Sequence, residues 1–170
     1  TDPNYPLNDQ EQCEFLKLVD TTGRSTLKLL DNLLDWANIQ RGKVQINPSE
    51  FQLSELVEEI FGLSESAALL KQISLKRKIE VDTLQADRNV LKSILLNLIS
   101  NAIKFTEKEG LIEVSSTENQ EFIQIAVIDN GIGMSPQKCN GLFSITANKS
   151  TPGTEKEPGS GLGLILCKDF

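Results

Sequence analysis

Residues 86–106, ADRNVLKSILLNLISNAIKFT, carry two distinct faces of one helix. Leu91, Ile94, Leu95, Leu98 and Ala102 recur every three or four residues and form an apolar stripe. Asn97, Asn101 and Lys104 succeed one another at one-turn intervals and share a second face beside that stripe. Asparagine is a poor helix-interior residue because its amide competes for backbone hydrogen bonds. Two in register, with a lysine one turn on, describe a polar face aimed at a charged ligand. A half-exposed helix with incidental amides would look the same, and two glycine-bearing stretches downstream decide between the readings.

The chain has 170 residues, room for one domain and an appendage. Hydrophobic content of 39% with only 5% aromatics fits an α/β protein with an aliphatic core. No apolar run approaches the roughly 18 residues that a membrane span requires, and no signal peptide opens the sequence. No membrane contact is expected of this stretch and a cytoplasmic setting is, although a parent protein could be membrane-anchored. A net charge of −7 argues against a nucleic-acid partner. It leaves room for a phosphate ligand held by local amides, a lysine and a metal ion. Cys13, Cys139 and Cys167 lack CxxC spacing and fit reduced thiols better than a disulfide framework or a zinc site. The histidine count is 0, which removes imidazole acid–base chemistry, Ser-His-Asp triads and histidine metal sites.

Outward from the central helix, residues 1–8 read as a loop and residues 9–41 as one long helix stopped by Gly42. Its apolar positions, Phe15, Leu18, Val19, Leu29, Leu30, Leu33 and Trp36 among them, are widened by Leu16, Leu27, Leu34 and Ile39 beyond one partner's reach. Such a helix belongs in a bundle or coiled coil. Phe51 to Leu53 alternates as a brief strand, and Ser54 is the expected N-cap of a helix over 55–70. Residues 73–75 and 78–81 read as two short strands. Residues 111–117 and 122–129 alternate well and make a hairpin. From 130 to 158 the pattern is irregular, and a loop of that length is usually functional or disordered. A last helix opens at Leu162.

Asp129-Asn-Gly-Ile-Gly-Met134 follows a strand reading IQIAVID. A carboxylate at a strand end can accept a hydrogen bond from an amine, and Gly131 and Gly133 remove side chains that would block a flat heterocycle. GSGLG at 159–163 precedes a helix and suits a polyphosphate. Either motif alone is weak, and no GK[ST] follows to make a P-loop.

The ordered set NLISNAIKF, DNGIGM, LF, a Ser/Thr/Gly-rich tract and GSGLGL resembles the ATP-binding domain of two-component sensor histidine kinases, over about residues 51–170. By that resemblance Asn101 holds Mg²⁺ and Lys104 contacts phosphate. Asn97 matches the preceding asparagine, and Phe105 the aromatic that lines the adenine. Asp129 matches the adenine-reading aspartate, with Gly131, Ile132, Gly133 and Met134 completing the first glycine motif. Leu142-Phe143 matches a shortened phenylalanine motif, and residues 144–158 the ATP lid. Gly159, Ser160, Gly161, Leu162, Gly163 and Leu164 match the second glycine motif. LLDNLLDWANIQRGKV, residues 29–44, resembles the second helix of the dimerisation and phosphotransfer hairpin.

The resemblance implies an α+β protein of the Bergerat ATP-binding type: an α/β sandwich, a mixed sheet with helices on one face, preceded by a long helix. Residues 1–43 would be part of the dimerisation region, without its histidine helix, and residues 44–170 the catalytic domain, without its closing strands. ATP and Mg²⁺ are the implied cofactors. A second copy through the N-terminal helix and a response-regulator receiver domain are the implied partners. The implied activity is transfer of the γ-phosphate to a histidine on a separate helix. The alternatives are a non-catalytic nucleotide-binding or dimerising module and a hydrolytic ATPase of the wider superfamily. The hydrolytic members place a glutamate one helical turn before the metal-binding asparagine, where this chain has Asn97.

Overall fold

The computed structural model describes residues 8–40, 46–143, 151–155, 157, 161 and 163–170. The elements run α1 (Asp9–Gln40), β1 (Ser49–Gln52), α2 (Leu53–Leu70), β2 (Ser74–Ile79), β3 (Thr83–Ala86), α3 (Arg88–Phe105), β4 (Leu111–Glu118), β5 (Ile123–Asp129), α4 (Pro136–Gly141) and α5 (Gly163–Asp169).

Strands β2, β4 and β5 form a mixed sheet with β4 central, parallel to β2 and antiparallel to β5. The parallel pair is joined through β3 and α3, which the antiparallel β4–β5 hairpin does not need. At the hairpin turn Asn119 Oδ1 accepts the N–H of Glu121 and of Phe122, both at 3.0 Å. Alternation along β4 buries Ile112, Val114 and Ser116 toward the helices. Leu53, Leu56, Val57 and Ile60 of α2 meet Leu95, Ile99, Ala102 and Ile103 of α3 over that face. Burying each large aliphatic side chain completely stabilises the fold by roughly 1.5–3 kcal/mol. The expected sandwich, with helices on one sheet face after a long helix, is therefore present.

Several local expectations need correction. The buried side of α3 runs through Ile99 and Ile103, while Ile94 and Leu98 are only half-buried on its flank. Leu53 starts α2 instead of ending a strand, and Gln52 occupies its N-cap without a side-chain capping bond, its amide being turned to Thr83 Oγ1 at 3.2 Å. Ser54 lies inside the helix, and its N–H and hydroxyl both donate to Asp82, at 2.7 and 2.8 Å. The carboxylate that satisfies the helix start thus comes from the loop before β3. The two short strands expected at 73–75 and 78–81 are one strand, β2. β3 was not expected; it pairs antiparallel with β1 as a separate ribbon that adds Leu84 to the core. The tract from 130 to 158 contains α4, capped by Ser135 Oγ and begun by a proline.

α1 touches α5 and leaves Phe15, Leu16, Val19, Leu27, Leu30 and Leu34 exposed. The expected stop at Gly42 and the side chains of Leu18, Leu29, Leu33, Trp36 and Ile39 lie outside the described residues. Among the described residues no helix is long and apolar enough to cross a membrane.

Candidate functional site

α3 is the floor of the site, and both its ends are fastened. At its start Asp87 Oδ1 accepts the N–H of Asn89 at 3.0 Å and of Val90 at 3.2 Å, and Oδ2 that of Asn47 at 2.9 Å. These bonds, the one from Asn47 first, hold the Asp87 carboxyl below its ordinary value against the effect of burial. Glu59 of α2 accepts from both Lys92 and Arg88, so α2 and α3 are joined by charge as well as by packing.

Asn97, Asn101 and Lys104 are half-buried on one side of this helix. At a rise of ~1.5 Å per residue they extend over roughly 10 Å of its length. Asn97 faces the start of α5, where a β-carbon on Gly163 would lie 3.1 Å from Asn97 Oδ1. Its amide also meets the thiol of Cys167, which burial nonetheless pushes up to about 11. The Asn101 side chain has no hydrogen-bond partner among the described residues. Lys104 Nζ sits 4.8 Å from the ring centre of Phe105 and donates to the carbonyl of Thr151 at 2.9 Å. Burial lowers the Lys104 ammonium below its ordinary value; Glu157 opposes that and Lys138 adds to it.

The first glycine motif is laid directly on the end of α3. Ile132 N–H donates to the Phe105 carbonyl at 3.1 Å. A β-carbon on Gly131 would stand 2.4 Å from that same oxygen, so no other residue fits without moving backbone. Asp129, exposed at the end of β5, accepts the Gly131 N–H through Oδ1 at 2.9 Å, leaving Oδ2 outside that turn. Gly133 follows with a left-handed φ of 64°. Ile132 and Met134 beyond it are 59% and 52% exposed, large apolar surfaces beside an open carboxylate. A flat heterocycle carrying an exocyclic amine matches that chemistry, and the Asn, Asn and Lys face matches an anion.

The structure thus brings Asn97 to Gly163, and Phe105 to Gly131 and Ile132, with Asn101 and Lys104 between. Phe143 is exposed after α4, and Gly161 and Leu164 flank Gly163. Gly159, Ser160 and Leu162 lie outside the described residues. Sequence reasoning missed Lys71, and it placed Thr151, Thr154 and Glu157 in the expected lid without a role of their own; all four pack around the end of α3. Among the described residues no three acidic, cysteine or histidine side chains gather to hold a metal ion. Mg²⁺ here would rest on the Asn101 oxygen and on oxygens that a nucleotide brings, a set suited to a hard cation that keeps several waters.

The family described as histidine kinase-, DNA gyrase B-, and HSP90-like ATPase matches residues 86–170. Hybrid signal transduction histidine kinase C of Dictyostelium discoideum is 31% identical over 167 residues, covering 94% of this chain and 14% of its own. The chain spans less than a third of the length of the curated relatives it matches. The histidine kinase AdeS of Acinetobacter baumannii has the same fold, with TM-score 0.74 at 18% identity over 99% of this chain and 75% of its own. ShkA, solved full-length in complex with AMPPNP, gives TM-score 0.74 at 22% identity over 98% of this chain and 34% of its own. This chain belongs to the histidine kinase-, DNA gyrase B- and HSP90-like ATPase family, as a catalytic ATP-binding domain of the sensor histidine kinase type.

Proposed function

We propose that the chain holds Mg²⁺-ATP for a sensor kinase that transfers the γ-phosphate to a histidine on a separate helix. The observation that carries this reading is the open oxygen of Asp129, at the end of β5 and beside the Asn97, Asn101 and Lys104 face. In it Asp129 accepts the purine amine, with Ile132, Met134, Phe105 and Phe143 supplying apolar surface. Lys104 and the glycine segment of residues 159–163, with Leu164, receive the phosphates. Mg²⁺, held through Asn101, would neutralise phosphate charge. Phosphoryl transfer asks mainly for positioning and charge neutralisation, which these groups supply. Hydrolysis by the chain itself is disfavoured, since Asn97 stands where a water-activating carboxylate would be needed.

In the same reading residues 1–43 contribute to a dimerisation region and residues 44–170 to the catalytic domain. The exposed leucines of α1 would pair with helices of a second copy, and a response-regulator receiver domain would take the phosphoryl group onward. ShkA, which shares the fold and was solved in complex with AMPPNP, supports a nucleotide as the ligand.

Calorimetry with Mg²⁺-ATP tests the site. Asn101→Ala removes the metal's protein oxygen, and Asp129→Asn replaces the purine acceptor. Each loses a charge-assisted or metal contact and should weaken binding about tenfold or more. Unchanged affinity in both variants would overturn the assignment.

A further inference from the structure

Lys71 caps the C-terminus of α2, belongs to no motif, and is only 5% exposed. Its ammonium donates to the carbonyls of Ile103 at 2.9 Å, Lys104 at 3.1 Å and Thr106 at 3.3 Å. It also reaches Thr154 Oγ1 at 2.7 Å and Glu157 Oε1 at 2.6 Å. An ammonium has three protons, so these five contacts share them. The carbonyls belong to the end of α3, where a helix leaves acceptors unpaired and favours a cation. Lys71 therefore completes the helix that carries Asn97, Asn101 and Lys104, and at the same time holds a segment 80 residues further on.

Residues 151–155 and 157 of that segment are folded tightly onto the same point. Thr154 N–H donates to the Lys104 carbonyl at 3.0 Å, and Gly153 N–H to the Glu157 carbonyl at 3.0 Å. Glu155 N–H donates to Glu157 Oε2 at 2.9 Å. A β-carbon on Gly153 would meet Glu157 Oε2 at 2.3 Å and Lys104 Cγ at 2.6 Å. Burial alone would raise the Glu157 carboxyl, but Lys71 and the backbone N–H groups outweigh it and keep it below its ordinary value. Residues 151–155 and 157 are thereby fixed against the end of α3 by polar contacts, among them the bond from Lys104 Nζ to the Thr151 carbonyl at 2.9 Å.

We infer that Lys71 and Glu157 are positioning residues for the triphosphate. Their ion pair holds residues 151–155 and 157 against the end of α3, setting where the Lys104 ammonium, bonded to Thr151, stands. Neither touches the nucleotide. The inference rests on the nucleotide reading above. The adenine end, built on Asp129 and Gly131, is separate: among the described residues none of its bonds involves Lys71 or Glu157.

The experiment uses the whole 170-residue chain. Mg²⁺-AMPPNP affinity is measured by calorimetry and adenosine affinity by NMR titration, in wild type, Glu157→Gln, Lys71→Met and the double variant. Glu157→Gln keeps shape and the acceptor for Glu155 N–H, so it should fold even if Lys71→Met does not. The expected result is about tenfold weaker AMPPNP binding in Glu157→Gln, as for one lost charge-assisted contact, with adenosine affinity unchanged. The double variant should be no worse than the worse single variant. Equal losses for both ligands, or no loss for AMPPNP, would overturn the positioning role. A wild type that binds neither ligand would instead remove the nucleotide reading itself.

Discussion

The Oδ1 of Asn97 lies 3.1 Å from the place where a β-carbon on Gly163 would stand. The first residue of α5 is thus pressed against the polar face of α3, and Asn97 must yield a few tenths of an ångström to any side chain there. Alanine is better than glycine in a helix by about 1 kcal/mol, less at a terminus. Gly163→Ala should therefore leave the melting temperature unchanged or raised while weakening Mg²⁺-ATP binding several-fold. Thermal unfolding and calorimetry on the same preparation separate the two effects. Undiminished affinity would show that the placement of Asn97 does not matter to the ligand.

Cys167 gives a second test of the same corner. Its thiol donates toward the Ile94 carbonyl at 3.8 Å and is pushed up to about 11 by burial, with Asn97 opposing. The thiolate is the reactive form, so a raised thiol alkylates slowly. Cys13 and Cys139 are exposed. Iodoacetamide at mildly alkaline pH should label those two quickly and Cys167 last, as read by peptide mass spectrometry. Labelling of Cys167 at the rate of the exposed pair would contradict the packing of α5 on α3.

Much of the scaffold around that corner was legible in the sequence. α3, β4 and β5 are long enough for their periods to be unmistakable, and Asp129 and its glycines sit where the strand pattern ends. The stripe on α3 holds at Leu95 and Ala102 but is turned by a small part of a turn elsewhere, because Leu98 and Ile99 are equally apolar and only the packed sheet chooses between them. β3 contributes a single buried side chain, Leu84, which no alternation can reveal. α4 spans 6 residues, too short for a period to register. Lys71 is invisible for a different reason: a lysine after a helix reads as solvent-facing, and its partners lie 32 to 86 positions away, as its bonds to Ile103 and Glu157 require.

The Lys71–Glu157 pair predicts an acid sensitivity with a definite sign. Glu157 has its carboxyl lowered from 4.5 in the folded chain, so the unfolded chain binds the proton more readily. The stability it contributes is fully present above about pH 4.5 and is lost as pH falls through the lower, folded value. Urea unfolding of wild type and Glu157→Gln across that range should converge in acid and diverge toward neutrality. A constant difference at every pH would mean that the charge of Glu157 does not carry the contact.

The last prediction concerns phosphoryl transfer. With 0 histidines, the chain offers no imidazole nitrogen to accept a γ-phosphate. A serine or threonine would need a base, and the face of α3 at 97, 101 and 104 presents two amides and a lysine, none of them a carboxylate. Incubated alone with radiolabelled ATP, the chain should bind nucleotide and acquire no label. A separate polypeptide carrying a histidine-bearing helical hairpin restores the missing nucleophile, and the proposed ATP site supplies position and charge neutralisation. Label should then appear on the added polypeptide, labile in acid and stable in base, as a phosphoramidate is. Lys104→Ala should reduce that transfer by removing a phosphate contact, whereas Cys139→Ser on exposed α4 should leave it intact. Rapid release of inorganic phosphate by the chain alone would overturn the kinase reading in favour of a hydrolytic member of the family.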